Sequence, residues 1–112
     1  MAKELKVIAD FYDFMLWLIR HVEGFPRHHR YGLGRDIEIR LQTLLALLLR
    51  AKYSKVKVAY LGDANTELET LRFQMRLAAD LKLLPLKSHR YAAEQTLAIG
   101  NQIGGWLNSE SR

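Results

Sequence analysis

Apolar residues recur along this chain at intervals of three and four in four separate stretches, which is the spacing of helices rather than strands. Residues 3–23 predict a first helix with Leu5, Ile8, Phe11, Tyr12, Met15, Leu18, Ile19 and Val22 on a broad apolar face, ended by Gly24 and Pro26. Residues 35–53 predict a second, apolar nearly all round in its second half, with an exposed edge of Arg35, Asp36, Arg40, Thr43 and Arg50. The segment from Ser54 to Leu61 alternates polar and apolar residues as a strand would. A lone strand has no partner among helices, so the expectation is an extended connection fastened to the bundle by Val56, Val58 and Tyr60. Thr66 and Glu69 have capping-box spacing at the start of a third helix over 63–84, which Pro85 ends. Ser88 is expected to cap a fourth helix over 89–108, carrying Ala92, Leu97, Ile99, Ile103, Trp106 and Leu107.

The third stretch is apolar on two sides. At 100° per residue, Leu68, Leu71, Met75 and Ala78 form one line, while Phe73, Leu77, Leu81 and Leu84 form another roughly opposite. Glu69, Arg72, Arg76 and Asp80 run between them. One line suffices for a core, so the second predicts a partner, with Phe73 and Leu77 at a subunit interface. Trp17 stands on the polar face of the first helix, either folded over Asp13 and His21 or presented to that partner. Gly100 and Gly104 lie in line with Ala93 and predict close approach of another backbone, or fraying near the C-terminus. Four helices with connections of moderate length give an all-α, antiparallel up-down-up-down four-helix bundle, a single domain over residues 1–112.

Composition narrows the class. The 112 residues are 49% apolar and 26% charged, ordinary for a globular chain. The absence of cysteine excludes disulfides and thiolate ligands. The longest apolar runs, Phe14–Ile19 and Leu44–Leu49, fall far short of the ~18 residues that span a bilayer, and Met1–Glu4 does not begin a signal peptide. A cytoplasmic protein without a membrane partner is expected.

Charge adds a direction. The net charge is +5, and residues 20–90 hold fourteen Lys/Arg against seven Asp/Glu, whereas the two ends together hold three against five. A basic middle suits a polyanion, foremost nucleic acid, and is equally the mark of a solvated surface. The connection from Gly24 to Gly34 concentrates Arg27, His28, His29 and Arg30 just before Arg35, with Phe25 and Tyr31 flanking them. Aromatic rings beside arginine can stack bases and hold phosphate; the alternative is that both rings cover the end of the bundle. Adjacent histidines rarely converge as ligands, and no metal is expected.

Enzyme chemistry is not apparent. The serines and threonines have no strained Gly-rich turn around them, Gly32 and Gly34 have no phosphate-loop context, and no Glu-x-x-His pairs point to a di-metal bundle. A non-catalytic role without cofactors is expected.

From the third helix onward the pattern is more specific. Asp63-Ala64, Leu71-Arg72-Phe73-x-x-Arg76-Leu77, Glu94-x-x-x-Ala98 and Ile103-Gly104-x-Trp106, with Pro26-Arg27-x-His29 and Arg35-Asp36 upstream, resemble Avd, the accessory variability determinant of diversity-generating retroelements. Gln74 departs from the more hydrophobic family pattern. The resemblance implies a four-helix protomer of a homo-oligomeric, pentameric barrel whose basic surface binds RNA or DNA and the reverse transcriptase. Arg27, His28, Arg30, Arg35, Arg40, Arg72 and Arg76 are the candidate binding residues, and Phe73, Leu77 and Trp17 the candidate interface residues. The apolar arcs of the first and third helices are expected to build that interface together. The alternative is a structural helical assembly protein whose basic surface contacts an acidic protein; for Arg72 and Arg76 themselves the alternative to nucleic-acid binding is helical ion pairing with Glu69 and Asp80.

Overall fold

A computed structural model describes the backbone of residues 2–111 and every side chain within it except those of Ala2, Lys3 and Leu5. Leu5, expected on the first apolar face, thus lies outside the described side chains, as does Met1. Among the described residues there are four long helices and no strand: α1 (Ala2–Val22), α2 (Arg35–Tyr53), α3 (Val58–Asp80) and α4 (Leu86–Glu110). The expected all-α bundle is what forms. Consecutive helices are neighbours and α4 also lies against α1, so the four make a square in which α1 is diagonal to α3. The bundle measures 45 × 23 × 19 Å. At ~1.5 Å per residue the long helices run most of its length.

The core selects a narrower face of each helix than the apolar patterns do. On α1 the fully buried residues are Val7, Phe11, Phe14, Leu18 and Val22, while Tyr12 turns outward and Ile8, Met15 and Ile19 sit at the edge. On α2 they are Ile37, Leu41, Leu44, Leu48 and Ala51, and on α3 the whole first line, Leu68, Leu71, Met75 and Ala78. On α4 Ala92, Thr96, Ile99, Ile103 and Trp106 face inward, and Leu97 is exposed. Thr96 is tolerated there because its hydroxyl donates to the Ala92 carbonyl at 2.8 Å.

Helix limits differ from expectation. The third helix starts at Val58, not near Asp63, so Thr66 lies inside it and its hydroxyl donates back to the Gly62 carbonyl. The link from α2 is therefore short. Val56 and Val58 are exposed rather than fastening it, and the Lys57 ammonium instead donates to the Ala51 and Lys52 carbonyls at the end of α2. At its other end α3 stops before Pro85. Lys82 adopts the left-handed conformation, φ 61°, with the Lys82 and Leu83 amides donating to the Ala79 and Ala78 carbonyls. That closure ordinarily uses glycine. Pro85 is the N-cap of α4, placing Ser88 within the helix rather than at its cap, and Leu84 turns into the core.

Of the two glycines expected to admit a second backbone, a Cβ on Gly100 would meet the Leu68 side chain at 3.3 Å, within the bundle, and one on Gly104 would meet nothing within 4 Å.

Candidate nucleic-acid interface

The polar connection after α1 is helical. Pro26, extended at ψ 147°, precedes a turn of helix at Arg27–His29, and a π-helical turn at Arg30–Gly34 leads without interruption into α2. Proline suits this entry because its carbonyl accepts from the His29 and Arg30 amides while its own nitrogen has no hydrogen to leave unpaired. Phe25 is buried and plugs the bundle end, so it does not stack a ligand. Tyr31 is 63% exposed. The two rings expected to act alike divide between core and surface.

Gly34 makes this geometry possible. A Cβ there would sit 2.8 Å from Val22 Cγ1 and 3.3 Å from the His29 carbonyl oxygen, so the turn packs directly on the last residue of α1. Val22 is β-branched, buried and has little rotamer freedom with which to yield. Gly34→Ala is expected to destabilise the protein by about 1–3 kcal/mol. Gly32→Ala, where nothing lies within 4 Å, should instead be neutral or stabilising by up to about 1 kcal/mol. Urea unfolding midpoints of the two variants check this.

This end of the bundle carries Arg27, His28, His29, Arg30 and Arg35, and the square topology brings Lys82, Lys87 and Arg90 to the same end from α3 and α4. Arg27, Arg30 and Arg35 are exposed and make no salt bridge among the described residues. The guanidinium of Arg30 lies 5.1 Å from the centroid of Tyr31. The rings of His28 and His29 lie against one another, tilted by 44° with centroids 4.1 Å apart. Among the described residues no group of three His, Asp or Glu is placed to hold a metal ion.

The other candidates fare differently. Arg40 points into the seam between α2 and α3, where it donates to the Gln74 amide oxygen at 3.0 Å and pairs with Glu67. Its side chain is 26% exposed, and its charge is answered there rather than displayed. Gln74, the departure from the family pattern, is one of its partners. Arg72 reaches Glu69 at 3.3 Å in the expected helical pair, but both are open to solvent and such a pair is worth only about 0.2–0.5 kcal/mol. Arg76 is exposed and makes no salt bridge among the described residues, so the expected pairing with Asp80 is not formed.

Arg72 and Arg76 line a groove between α3 and α4, with Phe73, His89 and Ala93 and a volume of about 350 Å³. Past Arg72 the groove continues along Asn65, Leu97, Gly100 and Asn101, where small residues on α4 keep it open. Phe73 is 65% exposed, Leu77 48% and Leu81 46%, so the outer line of α3 is presented to solvent, and Leu86 and Leu97 extend it on α4. A second exposed apolar set, Tyr12 and Leu16 on α1 with Ile39, Leu49 and Tyr53 on α2, was not separable from core positions by periodicity. Because α1 and α3 are diagonal, Tyr12 and Leu16 face away from Phe73 and Leu77, whereas Ile39 lies apart from them, on the edge of α2 that borders Glu67 and Gln74 of α3.

Trp17 belongs to neither set. It lies half-buried among Phe14, His21 and Tyr91, ring centroids 5.8, 4.1 and 4.8 Å away, and clasps α1 to α4. His21 Nδ1 lies 2.9 Å from the Trp17 carbonyl oxygen. Lower on the same seam, Asp10 accepts from Lys6 at 2.7 Å and from Gln102 at 2.8 Å, and these two donors hold its carboxyl below the usual aspartate range.

The model of the bAvd-like family matches residues 6–110. The chain belongs to the bAvd-like family. The match runs from the first turns of α1 almost to the end of α4 and takes in the arginine-rich turn, the α3–α4 groove and both exposed apolar sets. No curated protein matches the chain. Within this bAvd-like protein no described helix is long and apolar enough to cross a membrane.

Proposed function

We propose that this bAvd-like protein is the non-catalytic accessory subunit of a diversity-generating retroelement. In this reading it assembles as a homo-oligomeric, pentameric barrel and binds template RNA or cDNA, together with the reverse transcriptase, through its basic surface. The observation that carries the reading is the pair of exposed apolar sets, on the diagonal helices α1 and α3, of a bundle that gathers Arg27, Arg30 and Arg35, none in a salt bridge among the described residues, at one end. Two different exposed faces favour head-to-tail contact, in which the α3–α4 face of one copy meets the α1–α2 face of the next; such contacts close into a ring where the rotation between copies returns to its start, and the pentameric barrel is that closed case. Bundles standing side by side in such a ring repeat the same end on one rim, so the arginine-rich turns of all copies face the same ligand.

The purified chain should scatter light as about five times its 13.0 kDa mass. Its affinity for RNA should fall steeply with salt, since each phosphate contact releases counterions. Co-expressed reverse transcriptase should co-purify after nuclease treatment. A monomer at micromolar concentration, or an affinity flat with salt, would sink the proposal.

A further inference from the structure

We propose that the pocket formed by Arg30, Tyr31 and Arg35 holds an unpaired nucleotide, its base stacked on Tyr31 and its phosphate held by Arg35, so that this end of the bundle selects single strands over duplex. The inference rests on the nucleic-acid reading above and adds to it the strand state and the residue that reads it.

Three observations support it. First, Tyr31 has no place in the core: it is 63% exposed and its hydroxyl only accepts a long contact from Arg30, 3.4 Å. Second, the backbone there is a π-helical turn, a conformation uncommon in helices and concentrated at functional sites. It keeps Gly34 packed on Val22 while Tyr31 stands outward. Third, Tyr31 lines a cavity of about 420 Å³ with Arg30, Arg35, Glu38, Ile39 and Gln42, within the range that takes a small ligand. Ile39 offers an apolar wall, Gln42 a side-chain amide, and the two guanidiniums form no ion pair among the described residues.

An exposed ring that lines one cavity with Arg35, which makes no salt bridge among the described residues, and with Arg30, held against the ring by a long contact to its hydroxyl, supplies what a splayed-out nucleotide needs, a π face and a phosphate clamp. Duplex bases are already stacked on each other and present no face to such a ring, whereas their phosphates still meet the arginines. The aromatic ring should therefore discriminate strand state, and the arginines should not.

The test is fluorescence anisotropy of the full chain with a labelled 20-nucleotide oligouridine and with an RNA duplex of the same length. Tyr31→Ala is expected to weaken the oligouridine about 5- to 150-fold, the worth of one stacked base, and the duplex less than about 2-fold, without changing either salt slope. Tyr31→Trp should retain oligouridine binding, and Arg35→Gln should lower the salt slope by about 0.7 on the single strand. Thermal unfolding of Tyr31→Ala should match the parent, since the ring is outside the core. Equal weakening of both ligands, or of neither, by Tyr31→Ala while the parent binds RNA overturns the inference and leaves the wider reading standing. Displacement of oligouridine by polyglutamate as effectively as by unlabelled oligouridine also overturns it, in favour of an acidic peptide. Failure of the parent to bind either RNA overturns both.

Discussion

Phe73→Glu is expected to dissociate the assembly while leaving the bundle folded. Phe73 is 65% exposed on the outer line of α3, so the fold gains little from its ring. Glutamate is a good helix former and would stand three residues before Arg76, a favourable spacing. The expected change in monomer stability is therefore within about 0.5 kcal/mol. At a contact between copies the balance is different. Losing a buried phenylalanine removes about 1.5–3 kcal/mol, and a carboxylate excluded from water without a full partner costs several more. Together these weaken each contact by about 10³-fold or more. Light scattering should then give the 13.0 kDa monomer, with an unchanged helical circular dichroism spectrum and melting transition. Binding to a long RNA should fall with it, because avidity across one rim is lost, by about 10²- to 10⁴-fold. A variant that keeps the parental mass would place the contact elsewhere and leave the outer line of α3 without a role.

Periodicity was sufficient for the bundle, and for the core line of α3 it was sufficient residue by residue: Leu68, Leu71, Met75 and Ala78 are all buried. A helix wheel says which residues share a side but not what stands opposite that side. Arg40 shows the consequence. On the wheel it belongs to the polar edge of α2, and only the neighbour across the seam, with Glu67 and Gln74, separates a paired guanidinium from a displayed one. Trp17 is similar, because Tyr91 on α4 closes over a ring that α1 alone leaves open to two readings.

Helix starts were less legible where local signals compete. Val56-Lys57-Val58 alternates like a strand, yet Val58 begins α3 because a helix there completes the contact of Leu61 and Ala64 with the core. The glycines at 32 and 34 read as a loop. In the structure they are helical, and the one at 34 serves the approach of two helices rather than a bend. The exposure of Tyr31 follows from that same π-helical turn, which has no periodicity signal of its own.

The contrast between displayed and paired arginines gives the second large effect. Replacing Arg27, Arg30, Arg35 and Arg76 together by glutamine should weaken single-stranded RNA binding by roughly 10²- to 10³-fold near 0.1 M salt, and lower the slope of log affinity against log salt by about 3. Each of the four is exposed and makes no salt bridge among the described residues, so each is available to a phosphate and none is required by the fold. Arg40→Gln, drawn from the same set of basic candidates, should do the reverse. Its charge is answered by Glu67, so the salt slope should stay at the parental value. Its removal leaves a half-buried carboxylate without its partner and should cost about 1–3 kcal/mol in urea unfolding. Two variants drawn from one list of arginines thus separate by assay, one losing RNA with stability intact and the other losing stability with the slope intact. An Arg40 variant that lowers the slope as much per charge as the other four would mean that the α2–α3 seam opens to RNA, and the ion pair with Glu67 would then have to break on binding.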